Sequence, residues 1–252
     1  MQDDSALSRA VTMVKDLRAR CAWDRIQTRE TLRPYLLEEV HELDAALGGG
    51  DPAAIRDEIG DLMLHLAWQL VLGEELSEFT AADIADDLVA KMRRRHPHLF
   101  NLGPAEQWQA LKARERKHDA GALAGLPPTL PALLLAYRLQ ERAAGVGFDW
   151  PDVDGPIEKV REELTEVEHE LASMAAAARE KLTDEIGDLL FAVVNLARKA
   201  DVHPGPALDR ANRRFRERFE QVERLAAERG IAMETAGLAT LDELWDQVKA
   251  AH

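Results

Sequence analysis

Hydrophobic positions recur at helical spacing along most of the chain, and the strict alternation of a half-buried strand is nearly absent. Four long stretches carry an apolar residue every three or four positions, which is the period of one face of an α-helix. They are Leu36, Val40, Leu43 and Leu47; Ile59, Leu62, Leu66 and Leu70; Leu164, Val167 and Leu171; and Ile186, Leu190, Val193 and Ala197. The pattern predicts an all-α protein.

Helix-stop residues separate these stretches. The run Gly48-Gly49-Gly50-Asp51-Pro52 ends one predicted helix and starts the next. Two further helical stretches, "ALSRAVTMVKDLRARC" and "LPALLLAYRLQERAA", run into Trp23-Asp24 and Asp149-Trp150. Each half of the chain therefore predicts about four helices, packed as a four-helix bundle.

The chain carries one motif order twice. The hexapeptide "DEIGDL" stands at 57–62 and again at 184–189, each time after Glu-Glu-x-x-Glu, at 38–42 and 162–166. A basic segment follows each copy, "KMRRRH" and then "RFRERF". Such self-similarity is typical of a duplicated domain. We predict a first domain at 1–117, a Gly- and Pro-rich linker at 118–131 and a second domain at 132–252.

Composition narrows the class of partner. The 252 residues include 32 Lys and Arg against 46 Asp and Glu, a formal net charge of −14, which argues against a nucleic-acid polymer as the main partner. A single cysteine, Cys21, excludes a disulfide framework and a thiolate metal cage. No apolar run approaches the ~18 residues that span a bilayer, and the first ten residues lack a signal-peptide pattern. We expect a cytoplasmic protein with no membrane partner.

The paired acidic motifs predict a cation site. Glu162, Glu163 and Glu166 fall within an arc of about 100° on a helix, and Glu185 and Asp188 share one side of the next. If these helices are antiparallel neighbours, their carboxylates converge and repel. Hard divalent cations relieve such repulsion, and oxygen ligands favour Mg²⁺, Mn²⁺ or Ca²⁺ over zinc. Gly187 costs helix stability, and we interpret it, with Gly60, as a place of close backbone approach.

The motif order resembles that of the MazG family, the all-α nucleoside triphosphate pyrophosphohydrolases. The stretches "CAWDRIQTRETLRPYLLEEVHEL", "RRHPHLF" at 94–100 and "ANRRFRERF" at 211–219 are similar to signatures of that family, and the two-copy layout resembles its full-length members. Two positions depart from the pattern, since Ala22 replaces the usual proline and Arg29 the usual histidine. The resemblance implies two tandem MazG-like bundles completed in a homodimer. It also implies Mg²⁺-dependent hydrolysis of nucleoside triphosphates to monophosphate and pyrophosphate.

The residues fit that chemistry, because bound cations would make an acidic site attractive to a triphosphate. We predict metal ligands at Glu163, Glu166, Glu185 and Asp188, with Mn²⁺ as the alternative to Mg²⁺, and Glu162 as the base that orients water. Substrate-binding candidates are Arg214 and Arg218 for phosphate, Asn212 for the sugar or base, and Trp150 for stacking, with little discrimination between bases.

The first unit repeats the arrangement. Its acids are Glu38, Glu39, Glu42, Glu58 and Asp61, of which the last four are the candidate ligands, and its substrate candidates are Lys91, Arg95 and Trp23. We favour the second unit as the working one because Asn212 has no counterpart near Lys91. The family resemblance points the same way, since its C-terminal copy is usually credited with hydrolysis.

Two rival interpretations stay open. A ferritin-like di-iron carboxylate bundle would use Glu-x-x-His pairs, and the chain offers Glu38 with His41 and Glu166 with His169. Against it, the second helix of each pair carries Glu-x-x-Asp. A non-enzymatic helical scaffold, binding a partner through its acidic faces, predicts no metal-dependent turnover.

Overall fold

A computed structural model of the protein describes residues 5–100, 102–105, 121–173 and 178–250. The described residues form helices joined by turns and contain no strand, so the predicted all-α fold is confirmed. The chain divides into two compact units, Met1–Glu106 and Gln107–His252. Residues 121–131 form turns without a helix, whereas 106–117, which we placed at the end of the first domain, and 118–120 lie outside the described residues.

The first unit is built on a helical hairpin. Its helices are α1 (Ala6–Arg20), α2 (Ala22–Arg25), α3 (Arg29–Gly49), α4 (Pro52–Glu75) and α5 (Ala81–Arg95), followed by a 3₁₀ turn at Pro97–Leu99. The helices α3 and α4 pack side by side, and α1 lies along α4.

Local signals set the limits of the hairpin helices. The Thr28 hydroxyl accepts from the Thr31 amide and caps α3, while Gly50 ends that helix in the left-handed region, at φ 76°. Asp51 then accepts from the Ala53 amide, and Pro52 occupies the first turn of α4. The two helices are thus joined by a turn of two residues, which makes them antiparallel neighbours. The core between α1, α3 and α4 contains Val14, Leu32, Ala67, Trp68, Val71 and Leu72.

The second unit repeats the hairpin. Its helices are α6 (Ala132–Ala144), α7 (Asp154–Ser173), α8 (Ala178–Lys199), α9 (Pro204–Glu228) and α10 (Met233–Ala250), the last of which is kinked at Gly237. The pair α7–α8 packs closely, α6 lies against α8 and α9, and α9 packs on α10. Val222, Ala226, Leu244 and Val248 form the buried cluster between α9 and α10.

Both hairpins leave an apolar side uncovered in the single chain, and we call these sides the open faces. Several positions of the predicted apolar stripes are therefore not core: Leu190, for example, is 55% exposed. Leu70 and Val167 from the same stripes are buried. The open faces consist of Val40, Leu47, Ile59 and Leu66 on α3–α4, and of Leu164, Leu171, Ile186, Leu190 and Val193 on α7–α8.

The described helices were compared with the requirements of a membrane-spanning helix. None of them combines the length and the apolar composition that a bilayer-crossing segment requires.

Candidate functional site

The α7–α8 hairpin gathers three carboxylates, which we call the second acidic cluster. Glu163 of α7 and Glu185 and Asp188 of α8 each offer one carboxylate oxygen, and the three oxygens lie within 4.8 Å of one another. Glu163 is only 4% exposed, and its Oε2 is buried with no hydrogen-bond partner. A buried carboxylate oxygen without a donor is costly, so this atom calls for a cation or a proton.

Lys159 lies beside the cluster and was missed by the sequence interpretation. Its Nζ is 2.6 Å from Glu163 Oε1 and 2.9 Å from Glu162 Oε1. The hydrogen bond to Glu163, followed by that to Glu162, raises the pKa of Lys159 above its ordinary range. The ammonium therefore stays charged and offsets part of the negative charge. The ion pair could have been predicted from the sequence, since Lys159 precedes Glu163 by one helical turn.

Glu166 lies next to the second acidic cluster, and Glu162 lies at its edge. The Glu163 carboxylate, close enough to share a proton with that of Glu166, contributes most to the raised pKa of Glu166, followed by desolvation and by the charges of Glu163 and Glu185. The four carboxylates are therefore close enough for their charges to interact; they are Glu163, Glu166, Glu185 and Asp188. The side chain of Glu162 is more than half exposed and is paired with Lys159.

The first unit holds an equivalent group, the first acidic cluster. One carboxylate oxygen each from Glu39, Glu58 and Asp61 lies within 4.8 Å of the others, and Glu39 Oε2 is buried without a partner. Burial, then the charges of Asp61 and Glu42, raise the pKa of Glu39. Desolvation, then the charge of Glu42, raises the pKa of Glu58. Glu42 is thus part of this electrostatic group, whereas Glu38 is exposed.

The predicted phosphate-binding residues lie on other helices. Arg214 and Arg218 are one turn apart on α9, the first exposed and the second half-buried. Asn212 precedes Arg214 by two residues, so their side chains leave the helix about 160° apart. Within the described residues, no hydrogen bond or ion pair links these three to the second acidic cluster. Lys91 and Arg95 lie on the last turns of α5, both half-buried.

Trp150 packs where the chain enters α7. The ring lies against Gly155 so closely that a Cβ on that glycine would sit 2.4 Å from the indole Cε3. The same segment is tied to the C-terminal end of α8. Asp149 is ion-paired to Arg198, and the Trp150 carbonyl accepts a hydrogen bond from Lys199 Nζ at 2.6 Å. The hydrogen bond from Arg198 is the main reason that the pKa of Asp149 is lowered. The indole remains 45% exposed.

A largely apolar cavity of about 460 Å³ opens beside Trp150, and the sequence did not reveal it. Phe148, Phe191 and Leu139 contribute apolar walls, and Asn195 and Arg198 supply polar groups. Phe191 and Asn195 lie three and seven residues after Asp188, hence on the same side of α8 as the second acidic cluster.

In the first unit, Trp23 makes an edge-to-face contact with Tyr35, with ring centroids 6.2 Å apart.

Comparison with known proteins agrees with this architecture. Residues 27–100 and 156–223 match the model of the MazG nucleotide pyrophosphohydrolase domain, one segment in each unit. A Thermotoga maritima protein named nucleoside triphosphate pyrophosphohydrolase/pyrophosphatase MazG is 40% identical over 233 residues, which cover 91% of this chain and 89% of the relative. An Escherichia coli nucleoside triphosphate pyrophosphohydrolase is 40% identical over 255 residues, covering 96% and 97%. A Mycobacterium tuberculosis protein of the same name is 34% identical over 167 residues, covering 63% and 49%.

Proposed function

Since this chain belongs to the MazG nucleotide pyrophosphohydrolase family, we propose that its second unit hydrolyses nucleoside triphosphates to nucleoside monophosphate and pyrophosphate. The observation that carries the proposal is the convergence of Glu163, Glu185 and Asp188 around a buried, unpartnered carboxylate oxygen. Such a site repels a triphosphate unless cations are present. We therefore infer that Mg²⁺, or Mn²⁺ in its place, is required.

The donor set fits a hard divalent cation. All candidate ligands are carboxylates, namely Glu163, Glu166, Glu185 and Asp188, and the orphaned Glu163 Oε2 lacks any protein donor. When bound, the cation supplies charge neutralisation and polarisation of the phosphate oxygens and of water. Lys159 holds Glu163 by one oxygen and leaves the other oxygen free to act as a ligand.

The remaining polar groups have roles consistent with their positions. Glu162 is exposed at the edge of the cluster and is paired with Lys159, a position from which a carboxylate can orient water. Arg214 and Arg218 share one side of α9 and are suited to contact the outer phosphates. Asn212 leaves α9 in nearly the opposite direction, so its contact with the same substrate would require a second surface.

The cavity beside Trp150 is our proposed nucleoside pocket. Its volume, about 460 Å³, lies in the range of small-molecule sites, and it follows the same side of α8 as Asp188. Aromatic and aliphatic side chains pack against any base. The polar side chains Asn195, Gln140 and the Arg198–Asp149 pair are the groups among the described lining residues that are placed to select one. We therefore expect broad acceptance of bases.

We also propose a homodimer in the cytoplasm. The open faces expose leucine, isoleucine and valine side chains along both hairpins, and contiguous apolar surface of this kind marks an interface. A second copy would complete each hairpin as a four-helix bundle. A single cysteine with no disulfide framework suits a reducing compartment.

The di-iron alternative finds less support. The histidines that it requires, His41 and His169, are exposed, and neither belongs to a carboxylate cluster among the described residues. The scaffold alternative predicts that metal-dependent turnover is absent.

Product analysis tests the proposal. The full chain with Mg²⁺ and a panel of ribo- and deoxynucleoside triphosphates is expected to give monophosphate and pyrophosphate in equal amounts. Removal of the cation with EDTA should stop the reaction, and Mn²⁺ should restore it. Formation of diphosphate and orthophosphate would contradict the assignment, and absence of turnover with every cation would favour a scaffold.

A further inference from the structure

The cavity beside Trp150 is lined by a side-chain amide whose orientation is fixed by its neighbour. Asn195 of α8 is half-buried and lines the cavity. Its Oδ1 accepts two hydrogen bonds from the Arg198 guanidinium, one from Nε at 3.1 Å and one from Nη2 at 2.8 Å. A guanidinium only donates hydrogen bonds, so the amide atom that faces it must be the oxygen.

Arg198 is itself held in place. Its Nη1 donates to Asp149 Oδ2 at 3.2 Å, and its Nη2 is paired with Asp149 Oδ1. The same carboxylate accepts from the Trp150 amide at 2.9 Å and from Lys199 Nζ at 3.4 Å. The Arg198 side chain is only 12% exposed. Rotation of the Asn195 amide by 180° would turn its NH₂ group toward this buried cation, which has no acceptor to offer.

The amide nitrogen of Asn195 is left for a ligand. Within the described residues Nδ2 makes no hydrogen bond, yet it is not closed off from solvent as Gln140 Oε1 is. Its partner atom Oδ1 already accepts two hydrogen bonds. The Asp149 carboxylate, which also lines the cavity, is occupied by the donors around it. Asn195 therefore brings N–H donors to the cavity wall and no free acceptor.

The first unit does not repeat this amide. Trp68 stands seven residues after Asp61, as Asn195 stands seven residues after Asp188. The Trp68 side chain is 2% exposed and belongs to the core of the first unit, with the Arg18 guanidinium 5.2 Å from its ring centroid. The donor is thus a feature of the second unit, where we placed the nucleoside pocket.

We propose that Asn195 is a specificity-determining residue and that its Nδ2 donates to an exocyclic oxygen of the bound base. The inference rests on the proposed function of the cavity and adds a preference to it. Uracil and hypoxanthine carry an oxygen at the ring position where cytosine and adenine carry an amino group. An N–H that faces an amino group finds no acceptor, and an unpaired donor weakens binding.

The preference is a moderate one within broad acceptance of bases. One net hydrogen bond corresponds to about 3- to 10-fold in kcat/KM, which is the advantage that we expect for UTP over CTP and for ITP over ATP.

Steady-state hydrolysis of UTP and CTP by the full chain with Mg²⁺ tests the contact. Asn195→Asp keeps the oxygen that Arg198 holds and replaces the donors by an acceptor, so the ratio of the two kcat/KM values should invert. Asn195→Leu, of similar size, should bring the ratio close to unity. Gln247→Glu is the matched control and should keep the wild-type ratio: this exposed amide of α10 also accepts from an arginine, Arg229, at 2.6 Å.

An unchanged ratio in Asn195→Asp, or an equal loss for both nucleotides, would overturn the proposal. A changed preference between UTP and its 2′-deoxy form, with an unchanged base ratio, would place the amide on the sugar and would also overturn it. A readout without substitution guards against misfolding of the variants. In the wild-type chain, pyrimidin-2-one riboside triphosphate, which has only hydrogen at position 4, should be about 3- to 10-fold poorer than UTP. Equal values would contradict the contact.

Binding separates this inference from the proposed hydrolysis. The α,β-imido analogues of UTP and CTP resist cleavage between the first two phosphorus atoms, and calorimetry with Mg²⁺ gives their affinities. Absence of turnover on every triphosphate would refute the proposed function, whereas a uridine preference that inverts in Asn195→Asp would still support the contact. Equal affinities for the two analogues in both proteins would refute the contact, even if the wild-type chain hydrolyses nucleotides.

Discussion

Asp188 and Asp61 hold the same place in the two acidic clusters, so the pair allows the halves to be separated residue by residue. Each lies three residues after a glutamate of the same cluster. The surroundings differ, because Lys159 compensates charge in the second unit, whereas in the first unit the imidazole of His65 lies 3.9 Å from Glu39. Substitutions at the two aspartates therefore probe different sites with one chemical change.

Asp188→Ala should lower pyrophosphohydrolase activity by at least about 100-fold, because loss of a ligand costs more than the 10–100-fold typical of an outer-shell partner. Asp61→Ala should retain most of the activity. Steady-state rates with saturating Mg²⁺ give the comparison. The reverse ranking would place the working site in the first unit.

Glu185→Gln should raise the stability of the metal-free protein and weaken the effect of Mg²⁺. One repelling charge is removed, and one ligand is lost. Ligand that binds the native state stabilises it by about 2.7 kcal/mol at 100 times the dissociation constant, so wild-type melting should shift upward with Mg²⁺. Melting curves with EDTA and with Mg²⁺ provide the measurement, and Glu168→Gln, an exposed acid of α7, is the control.

The same cluster predicts a pH dependence. The pKa of Glu166 is raised by Glu163 and by Glu185, so the native state holds its proton more tightly than the unfolded chain does. Stabilisation by that proton is complete below the ordinary carboxyl pKa of about 4.3 and is lost as pH rises through the raised value. With EDTA, the melting temperature should therefore fall from pH 4.5 to 7, and less steeply in Glu185→Gln. Equal slopes in both proteins would contradict the coupling.

At the scale of the helices, two glycines of α4 differ in the space around them: Gly73 is crowded and Gly60 is open. A Cβ at Gly73 would lie 2.1 Å from the ring of Phe79, which folds back over the end of the helix. A Cβ at Gly60 meets nothing within 4 Å, and the same holds for Gly187 in α8. Close backbone approach, our interpretation of Gly60 and Gly187, is therefore not found among the residues that the structure describes.

Gly73→Ala should destabilise the protein by about 1–3 kcal/mol, since the Phe79 ring must be displaced from a packed position. Gly60→Ala should stabilise it by about 0.5–1 kcal/mol through helix propensity alone. Urea denaturation of both variants gives the two values. A loss of stability in Gly60→Ala would mean that another surface, such as a second copy, packs against α4 there.

At the scale of the whole molecule, the open faces are the surfaces on which we expect a second copy to bind. Leu190 lies on the open face of α8 and Leu238 is an exposed leucine of α10, which makes them a matched pair. If a second copy covers the hairpin, a carboxylate at position 190 is buried without a partner, at a cost of several kcal/mol.

Leu190→Glu should therefore raise the dimer dissociation constant by roughly 100-fold or more, since each 1.4 kcal/mol is tenfold. Leu238→Glu should leave it unchanged. Sedimentation velocity across a concentration series measures both. A wild-type chain that sediments as a monomer at micromolar concentration would exclude the dimer.

The helices themselves could be predicted because their signals are local. Periodic apolar residues, the Asp51-Pro52 start and the Gly50 stop lie within a few residues of the structure that they specify. The family could be predicted because its motifs are local too: Glu-Glu-x-x-Glu and Glu-x-x-Asp have fixed spacing on a helix. The matches of residues 27–100 and 156–223 to the family model confirm that prediction. A two-residue turn makes α3 and α4 neighbours, so even the meeting of acids from both helices follows from nearby residues.

What covers each helical face was decided only by tertiary structure. Periodicity places Leu190 and Val167 in apolar stripes, yet Leu190 is 55% exposed and Val167 is buried, because burial depends on distant chain segments. The same dependence explains why the cavity beside Trp150 was not foreseen, since residues from 123 to 198 line it. The sequence by itself determined the helices, their duplication and the acidic spacing. Packing alone decided that Glu163 Oε2 and His65 Nδ1 are buried without hydrogen-bond partners, because desolvation is a property of all surrounding atoms and not of a motif.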